Sequence, residues 1–258
     1  MEVEAALALA LDLADRADEI TMARFRAADL VVHTKPDLTP VSEADRAVEE
    51  MVRAHLATRA PDHDVLGEEF GGGEASGSWC WIVDPIDGTK NYVRGVPVWA
   101  TLLGLEHDGE VVVGVVSAPA LGSRWWAGRG LGAYRDGEQI HASGVGALGD
   151  AQLSFAWDTT ARFDLDGIGD RMMALSRACW RTRGLGDFWQ HMLVADGSVD
   201  ISIDSIVAYW DAAALLPIIE EAGGHWSTID GGTDPRTADS LVCTNGHLHT
   251  EALAALRR

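Results

Sequence analysis

The chain has 258 residues, of which 47% are hydrophobic, so it is long enough to bury the core of one or two domains. Its 40 acidic residues against 20 Lys and Arg give a formal charge of −20, which argues against binding the phosphate backbone of nucleic acids. The three cysteines form no Cys-x-x-Cys pair, the N-terminus is acidic, and no apolar run reaches membrane-spanning length, which favours a soluble, cytoplasmic protein without a membrane partner.

The first half of the chain combines helical and strand patterns. Apolar residues at helical spacing predict helices over residues 2–29 and 42–57, with a proline-containing loop between them. Short apolar runs bounded by turn residues predict strands at 79–84, 98–106, 111–118 and 124–127. We therefore expect residues 1–145 to form an α+β unit with helices packed on an antiparallel sheet.

A Gly- and Ala-rich stretch at residues 143–150 is the predicted boundary between the two halves. Beyond it, strands are predicted at 151–157, 180–184, 199–203, 225–229 and 240–244, and helices at 166–178, 186–196, 210–222 and 247–257. Because strands and helices alternate, we expect residues 146–258 to form an α/β layer that completes the active site.

The most informative stretch is residues 84–91, which read Asp-Pro-Ile-Asp-Gly-Thr-Lys-Asn. Its two acids follow the apolar run 79–83, at the point where we expect a strand to end. Acidic side chains add nothing to packing there, but they are the oxygen ligands that Mg²⁺ prefers. Glu68 and Glu69 follow another short apolar stretch, and Asp211 lies far downstream. Together these acids predict a carboxylate metal site.

The spacing of the acids separates three kinds of motif. A calcium-binding EF-hand loop needs oxygen ligands at positions 3 and 5 and Glu at position 12, where the residues counted from Asp84 are isoleucine and two glycines. Haloacid-dehalogenase-type phosphatases have the pattern Asp-x-Asp-Gly-Thr, whereas Asp84 and Asp87 are three positions apart. The run Asp-Pro-Ile-Asp-Gly-Thr matches in full the motif of the inositol monophosphatase superfamily, which the chain therefore resembles.

The resemblance extends over nearly the whole chain, through Gly-Glu-Glu at 67–69, Trp-Asp-Ala-Ala-Ala at 210–214 and Ala-Gly-Gly at 222–224. It implies a layered α/β sandwich with alternating α-β-α-β-α layers, assembled as a homodimer. It also implies a site with two or three Mg²⁺ ions, whose ligands would be Glu68, Asp84, the main-chain oxygen of Ile86, Asp87 and Asp211.

The resemblance further pairs Thr89 with Asp45 to activate a metal-bound water. A threonine hydroxyl is a weak base, so an adjacent carboxylate must accept its proton. Asp45 also fits a helix-capping pattern that begins at Ser42, and Asp211 also fits a helix cap or first-turn acid. For both acids the two roles can coexist. Glu69 should point away from its neighbour, either behind the ligands or on the surface.

Segments that flank these motifs look like the histidinol-phosphatase branch of the family, namely 35–41, 94–100, 117–121, 124–126 and 183–189. The last segment corresponds to the part of the family that contacts the leaving alcohol. Histidinol carries an ammonium and an imidazole, which suits the acids Asp187 and Asp204. Asp187 fits a helix cap nearly as well.

The remaining predicted substrate contacts serve the phosphate and the ring of the leaving alcohol. Arg183 would bind phosphate or order the acids, and Trp99 or Trp189 would stack on an imidazole. The full predicted substrate-binding set is Glu68, Gly88, Thr89, Arg183, Asp187 and Asp204.

The sequence therefore predicts an Mg²⁺-dependent phosphomonoesterase that acts on histidinol phosphate. The alternatives within the same family are an inositol-1-monophosphatase and a sugar phosphatase of broad specificity. The alternative from another class is a regulatory or scaffold protein that has kept the fold without turnover.

Overall fold

The computed structural model describes residues 1–35, 39–72, 78–156 and 167–257. The α-helices in these ranges are α1 (Val3–Arg24), α2 (Glu43–Arg59), α3 (Thr89–Val93), α4 (Ile168–Ala178), α5 (Asp187–Ala195), α6 (Tyr209–Ala212), α7 (Leu215–Glu221) and α8 (His249–Arg257). The strands are β1 (Val32–Thr34), β2 (Pro40–Ser42), β3 (Asp64–Gly67), β4 (Trp79–Asp87), β5 (Ala100–His107), β6 (Glu110–Ala118), β7 (Ser123–Gly128), β8 (Gly132–Arg135), β9 (Glu138–Gln139), β10 (Gln152–Phe155), β11 (Arg181–Arg183), β12 (Ile201–Asp204), β13 (His225–Ser227) and β14 (Leu241–Thr244).

The strands form two large sheets and one small hairpin. The first large sheet has the strand order β3-β4-β5-β6-β7-β8-β9; β3 and β4 are parallel and its other neighbours are antiparallel. The second has the order β11-β10-β12-β14-β13, with β10 parallel to both of its neighbours. The parallel edge strand β3 corrects the expectation of a purely antiparallel first sheet. The remaining pair, β1 and β2, is antiparallel.

Helices cover both sheets, so the described chain forms five layers. The helices α1 and α2 pack on one face of the first sheet, α5 and α7 lie between the sheets, and α4 and α8 cover the outer face of the second sheet. Successive residues of a strand point to opposite faces, and Leu102 and Leu103 accordingly belong to cores on opposite sides of β5. The predicted α-β-α-β-α sandwich is confirmed.

The middle layer approaches the first sheet closely at Gly114 of β6. A Cβ atom at this position would lie 2.0 Å from the carbonyl oxygen of Ala214 and 2.8 Å from Cγ of Pro217. Only glycine therefore fits where α7 crosses β6. This contact fixes the start of α7, which follows directly on the segment that carries Asp211.

Three predicted boundaries differ from the structure for local reasons. The first helix ends at Arg24 and not at residue 29, and Arg26 has a left-handed φ of 60°. The predicted helix 210–222 is two helices, α6 and α7. Strand β4 continues through Asp87, with a register shift between Asp84 and Asp87, so these acids lie on an irregular strand segment and not beyond its end.

Each large sheet lies within one predicted half of the chain. The first sheet uses residues 64–139 and the second uses residues 152–244, while α5 and α7 from the second half pack on the first sheet. The division at residue 145 remains a prediction. Within the described ranges, no helix has the length and apolar character needed to cross a bilayer.

Candidate active site

Three carboxylates meet where the irregular end of β4 faces the start of α6. Ligand oxygens of Asp84, Asp87 and Asp211 all lie within 4.8 Å of one another. The bulge of β4 orients the first of these acids, because Asp84 Oδ1 accepts the backbone N–H of Ile86 at 3.0 Å. Asp211 Oδ2 accepts the backbone N–H of Ala208 at 2.7 Å, just before α6. Asp211 therefore caps α6 and is also a member of the acid cluster.

Burial and mutual repulsion raise the pKa values of these acids. Burial, followed by the carboxylates of Glu68, Asp87 and Asp211, raises the pKa of Asp84 well above its usual range. Burial also raises the pKa of Asp211 to about 7; the N–H of Ala208 lowers it, and the charge of Glu68 raises it. Burial and crowding thus disfavour the ionised forms of these acids, and a cation bound among them would offset both effects.

Glu68 faces this cluster from the loop after β3 and shares a lysine with its neighbour. The ammonium of Lys35 contacts Glu68 Oε1 at 2.7 Å and Glu69 Oε1 at 2.5 Å. The side chain of Glu69 is only 3% exposed. Of the two placements predicted for Glu69, the structure therefore shows the one behind the ligands and not the one on the surface.

Thr89 and Asp45 are in contact, as the resemblance implies. The hydroxyl of Thr89 lies 3.3 Å from Asp45 Oδ1 and 2.9 Å from the carbonyl oxygen of Ile86. The other oxygen of Asp45 accepts both the backbone N–H and the hydroxyl of Ser42, at 2.8 and 2.6 Å. Asp45 therefore closes a capping box at the start of α2 and still reaches Thr89, so both of its predicted roles are geometrically compatible.

Gly88 connects the acidic strand to α3 in a conformation that favours glycine. Its φ is +82°, and a Cβ atom there would lie 3.0 Å from the carbonyl oxygen of Val98. This left-handed turn places Thr89 at the first position of α3. The amides of Asn91 and Tyr92 are satisfied by the carbonyl of Gly88.

A cavity of about 380 Å³ adjoins the acid cluster. Two of the clustered acids, Asp87 and Asp211, line it together with Asp187 and Asp204. The other lining residues are Lys90, Ala156, Phe188, His191, Ile206, Val207, Leu215 and Leu241. The acids of the second half thus face the same space as the acids of the first half.

Asp187 is the first residue of α5, and its carboxylate is held by Asn91. It has a left-handed φ of 49°, and its Oδ2 accepts the side-chain amide of Asn91 at 2.8 Å. No side-chain capping hydrogen bond is present at the start of α5, so Asp187 does not act as the helix cap that the sequence also allowed. Burial and then the charge of Asp204 raise the pKa of Asp187 to about 6, against the opposing effect of Lys90.

The first turn of α5 also supports one acid of the cluster, Asp87. The backbone N–H of Phe188 donates to Asp87 Oδ2 at 2.7 Å. One turn further along α5, Gln190 donates to Asp204 Oδ2 at 3.4 Å, and His191 Nε2 lies 3.9 Å from the same oxygen. The second half of the chain therefore helps to orient an acid of the first half.

Two predicted contacts with the substrate lie elsewhere. Arg183 is exposed and lines an adjoining cavity of about 390 Å³, which shares Ala156 with the acidic one. Trp99 is fully buried against Phe25 and Tyr92, so it cannot stack on a ligand, which corrects that expectation. The indole of Trp189 is partly buried against the core between the sheets.

Sequence reasoning missed Lys90, Asn91 and His191 as residues of the site. The first two belong to residues 84–91, the octapeptide that carries Asp84 and Asp87, but the motif itself assigns them no function. A helical position four residues after Asp187 lies on the same face of the helix, and this spacing could have indicated His191.

The donor set fits a hard divalent cation. The clustered side chains offer oxygens only, and in the described part of the chain this cluster contains neither histidine nor cysteine. Oxygen ligands in a negative environment suit Mg²⁺ and argue against a zinc site of nitrogen and sulfur ligands. The carbonyl of Ile86 already accepts the Thr89 hydroxyl and retains a second lone pair.

The chain is similar to known proteins over nearly its full length. The model of the inositol monophosphatase family matches residues 2–258. A histidinol-phosphatase of Mycobacterium tuberculosis is 52% identical over 97% of this chain and 97% of its own length. A histidinol-phosphatase of Streptomyces coelicolor is 48% identical over 98% of this chain and 97% of its own. An inositol-1-monophosphatase of Rhizobium meliloti is 36% identical over 85% of this chain and 84% of its own.

Solved structures share the fold over nearly the full length. An IMPase of Thermotoga maritima superposes with a TM-score of 0.87 at 29% identity, covering 97% of this chain and 96% of its own. The extragenic suppressor protein suhB of Bartonella henselae superposes with a TM-score of 0.91 at 25% identity, covering 98% and 99%.

Proposed function

The chain belongs to the inositol monophosphatase family, and from this premise we propose that it is a metal-dependent phosphomonoesterase whose substrate is histidinol phosphate. The observation that carries the choice of substrate is the acidic cavity beside the carboxylate cluster. Asp187 and Asp204 line this cavity, and two carboxylates there suit a leaving alcohol that is itself a cation.

The metal would be held by oxygen ligands from three segments of the chain, namely the loop after β3, the end of β4 and the start of α6. The ligands are Glu68, Asp84, Asp87, Asp211 and the main-chain oxygen of Ile86. We propose Mg²⁺, in two or three copies, because carboxylate and carbonyl oxygens are its preferred protein ligands. When bound, such ions lower the pKa of a coordinated water and neutralise charge on phosphoryl oxygens.

Thr89 and Asp45 would orient the attacking water. The hydroxyl proton of Thr89 has two acceptors within reach, Asp45 Oδ1 and the carbonyl oxygen of Ile86. A hydroxyl that donates to a carboxylate offers its own lone pairs to a neighbouring water, and the proton of that water can pass through it to the carboxylate. Asp45 would receive the proton, held in place by its two bonds to Ser42.

Asp187 and Asp204 would bind the leaving alcohol. An ammonium group donates charge-assisted hydrogen bonds to carboxylates, and burial strengthens such bonds. Asn91 and Gln190 hold the two acids in fixed orientations. Inositol has hydroxyls and no charge, so it would lack the charge-assisted hydrogen bonds that an ammonium would form with Asp187 and Asp204.

The proposal is tested by comparing turnover of three phosphate esters by the purified protein in Mg²⁺. We expect kcat/KM for histidinol phosphate to exceed that for inositol 1-phosphate and fructose 1,6-bisphosphate by at least about tenfold, since one charged hydrogen bond contributes roughly 1.5–3 kcal/mol. A preference for inositol 1-phosphate would contradict the choice of substrate. Absence of phosphate release from all three esters would favour the non-catalytic alternative.

The proposal also includes the oligomeric state of the protein and its cellular compartment. The family resemblance predicts a homodimer, which light scattering of the purified protein measures directly. The three cysteines are free thiols, two of them buried, which supports a reducing compartment such as the cytoplasm.

A further inference from the structure

Glu49 is a fully buried acid that has no part in the chemistry proposed above. It lies in the middle of α2, and its side chain is 0% exposed. Acidic side chains are rarely buried unless they are paired, so the partners of Glu49 should indicate its role. Those partners are the backbone that follows β3 and the side chain of Arg53.

The carboxylate of Glu49 accepts hydrogen bonds from the segment that carries Glu68. The backbone N–H of Glu69 donates to Glu49 Oε2 at 2.8 Å, and the N–H of Phe70 reaches Glu49 Oε1 at 3.3 Å. Glu49 thus binds two successive amides directly after Glu68. Hydrogen bonds from backbone N–H groups to a carboxylate are among the stronger ones in proteins.

Gly67 makes this contact possible on the other side of Glu68. A Cβ atom at Gly67 would lie 2.0 Å from Glu49 Oε1 and 2.2 Å from its carboxyl carbon. The carboxylate therefore lies directly against the Gly67 backbone. Glu68 is consequently flanked on both sides by positions that are fixed by one buried acid.

Arg53 completes the arrangement one turn later on α2. Its guanidinium donates to Glu49 Oε1 at 2.9 and 2.7 Å, and also to the backbone carbonyl of Gly71. A second bond reaches the carbonyl of Val65 at 3.4 Å. The charge of Glu49 is therefore compensated, and the same pair clamps both ends of the turn 65–71.

Asp45 and Glu49 lie one turn apart on α2, and both are fully buried. Asp45 contacts Thr89 from the octapeptide, and Glu49 contacts the turn that carries Glu68. One helix thereby sets the separation between Glu68 and Thr89, which are 21 positions apart in the chain. Residues four positions apart share a helix face, which is why one helix can serve both segments.

We infer that Glu49 is a positioning residue that, through the amides of Glu69 and Phe70, holds Glu68 toward the acid cluster for metal binding. The inference rests on the proposed role of Glu68 as a ligand. Groups that orient a metal ligand without touching the metal change metal affinity when they are removed, by about 10- to 100-fold. A residue that only stabilises the fold would not do so.

The test is a double-mutant cycle with direct metal binding as the measurement. Glu49→Gln, Glu68→Gln and the double variant are titrated with Mn²⁺ by electron paramagnetic resonance, at a temperature where circular dichroism shows each to be folded. Glu50→Gln is the matched control, because Glu50 is exposed on the same helix. We expect Glu49→Gln to weaken Mn²⁺ binding about tenfold and Glu50→Gln to leave it unchanged.

The cycle separates the inference from the proposed function. If Glu49 acts through Glu68, Glu49→Gln should weaken Mn²⁺ binding less than about twofold in the Glu68→Gln background. Equal weakening in both backgrounds, or unchanged Mn²⁺ binding in Glu49→Gln, would overturn the inference. Unchanged Mn²⁺ binding in Glu68→Gln would instead overturn the ligand assignment of the proposed function.

A second variant and a second measurement cover the case in which Glu49→Gln does not fold. Glu49→Asp keeps the charge but withdraws the carboxylate by one methylene. We expect it to speed amide hydrogen exchange at Glu69 and Phe70 and to weaken Mn²⁺ binding in the same experiment. Faster exchange with unchanged Mn²⁺ affinity would show a purely structural role and overturn the inference.

Discussion

Asp187 shows how the chemistry of one side chain depends on its neighbours. The sequence allowed it to be a helix cap or a substrate-binding acid, and its type and position did not decide between them. Its bond to Asn91, 96 positions away in the chain, and its place in the cavity wall point to the second role. Contacts of this separation are set by the fold and leave no local pattern in the sequence.

Replacing Asp187 should change specificity more than turnover. Asp187→Asn removes the negative charge and keeps the side-chain shape, so a cationic alcohol loses a charge-assisted hydrogen bond of roughly 1.5–3 kcal/mol. We expect kcat/KM for histidinol phosphate to fall about 10- to 100-fold, with a smaller change for inositol 1-phosphate. Asp230→Asn, at an exposed acid, is the control. Equal losses on both esters would argue against recognition of charge by Asp187.

The two readily recognised acids of the octapeptide were the easiest part of the site to predict. Asp84 and Asp87 stand at a predicted strand end within a motif that resembles a known family, and the structure brings both together with Asp211. The sequence does not identify Glu49, because in a helix predicted from its apolar positions the acids are expected to face solvent. Its burial depends on the backbone of a distant turn, which the sequence pattern of α2 does not contain.

At the scale of single elements, helix ends do much of the positioning. The capping acids of α2 and α6 also face the site, and the first turn of α5 donates an amide to Asp87. For Asp45 and Asp211 the sequence therefore predicts two compatible roles, one as a helix cap and one in the site. The break between α6 and α7 could not be predicted, because the residues on both sides of it are equally apolar and helix-forming.

The start of α8 contains a buried histidine that should make stability depend on pH. Ser227 donates its hydroxyl proton to the carbonyl of Thr228, so it accepts from Nε2–H of His249, and the hydroxyl of Thr244 donates to Nδ1. Both ring nitrogens are thus satisfied in the neutral form. Burial, followed by His225 and Arg257, lowers the pKa of His249 to about 4.

A lowered folded-state pKa means that the unfolded chain takes up a proton first. The free energy of unfolding should therefore fall as the pH drops from about 6.5 toward about 4. Between pH 7.5 and pH 5 we expect His249 to account for a loss of about 2 kcal/mol. Urea unfolding of the wild-type protein and His249→Gln at both pH values, with chelator present, isolates the contribution of His249 to the free energy of unfolding. An identical pH dependence in the two proteins would contradict it.

At the scale of the whole molecule, the layers hold the two halves of the site at a fixed distance. The acids of the first half lie on β4 and on the loop after β3, and those of the second half lie on α5, α6 and β12. The order of layers followed from the family resemblance. The close approach of α7 to β6 could not be predicted, because a single glycine in a strand does not indicate which element packs against that strand.

Gly114→Ala should test how tightly the middle layer is packed. The added methyl group would overlap the carbonyl of Ala214, so α7 must shift or the strand must bend. We expect the free energy of unfolding to fall by about 1–3 kcal/mol or more, measured by urea denaturation. Gly144→Ala is the control, because a Cβ atom there meets nothing within 4 Å. Equal stability of the two variants would contradict the packing described for α7.

The carboxylate cluster is proposed above as the metal site for hydrolysis of histidinol phosphate. The most direct test is phosphate release from this ester by the wild-type protein, Asp84→Asn and Asp87→Asn, each in excess Mg²⁺ and in excess chelator. We predict turnover by the wild-type protein in Mg²⁺ only, and a loss of at least about 10³-fold in both folded variants. Undiminished turnover in chelator, or in both variants, would overturn the proposed metal site.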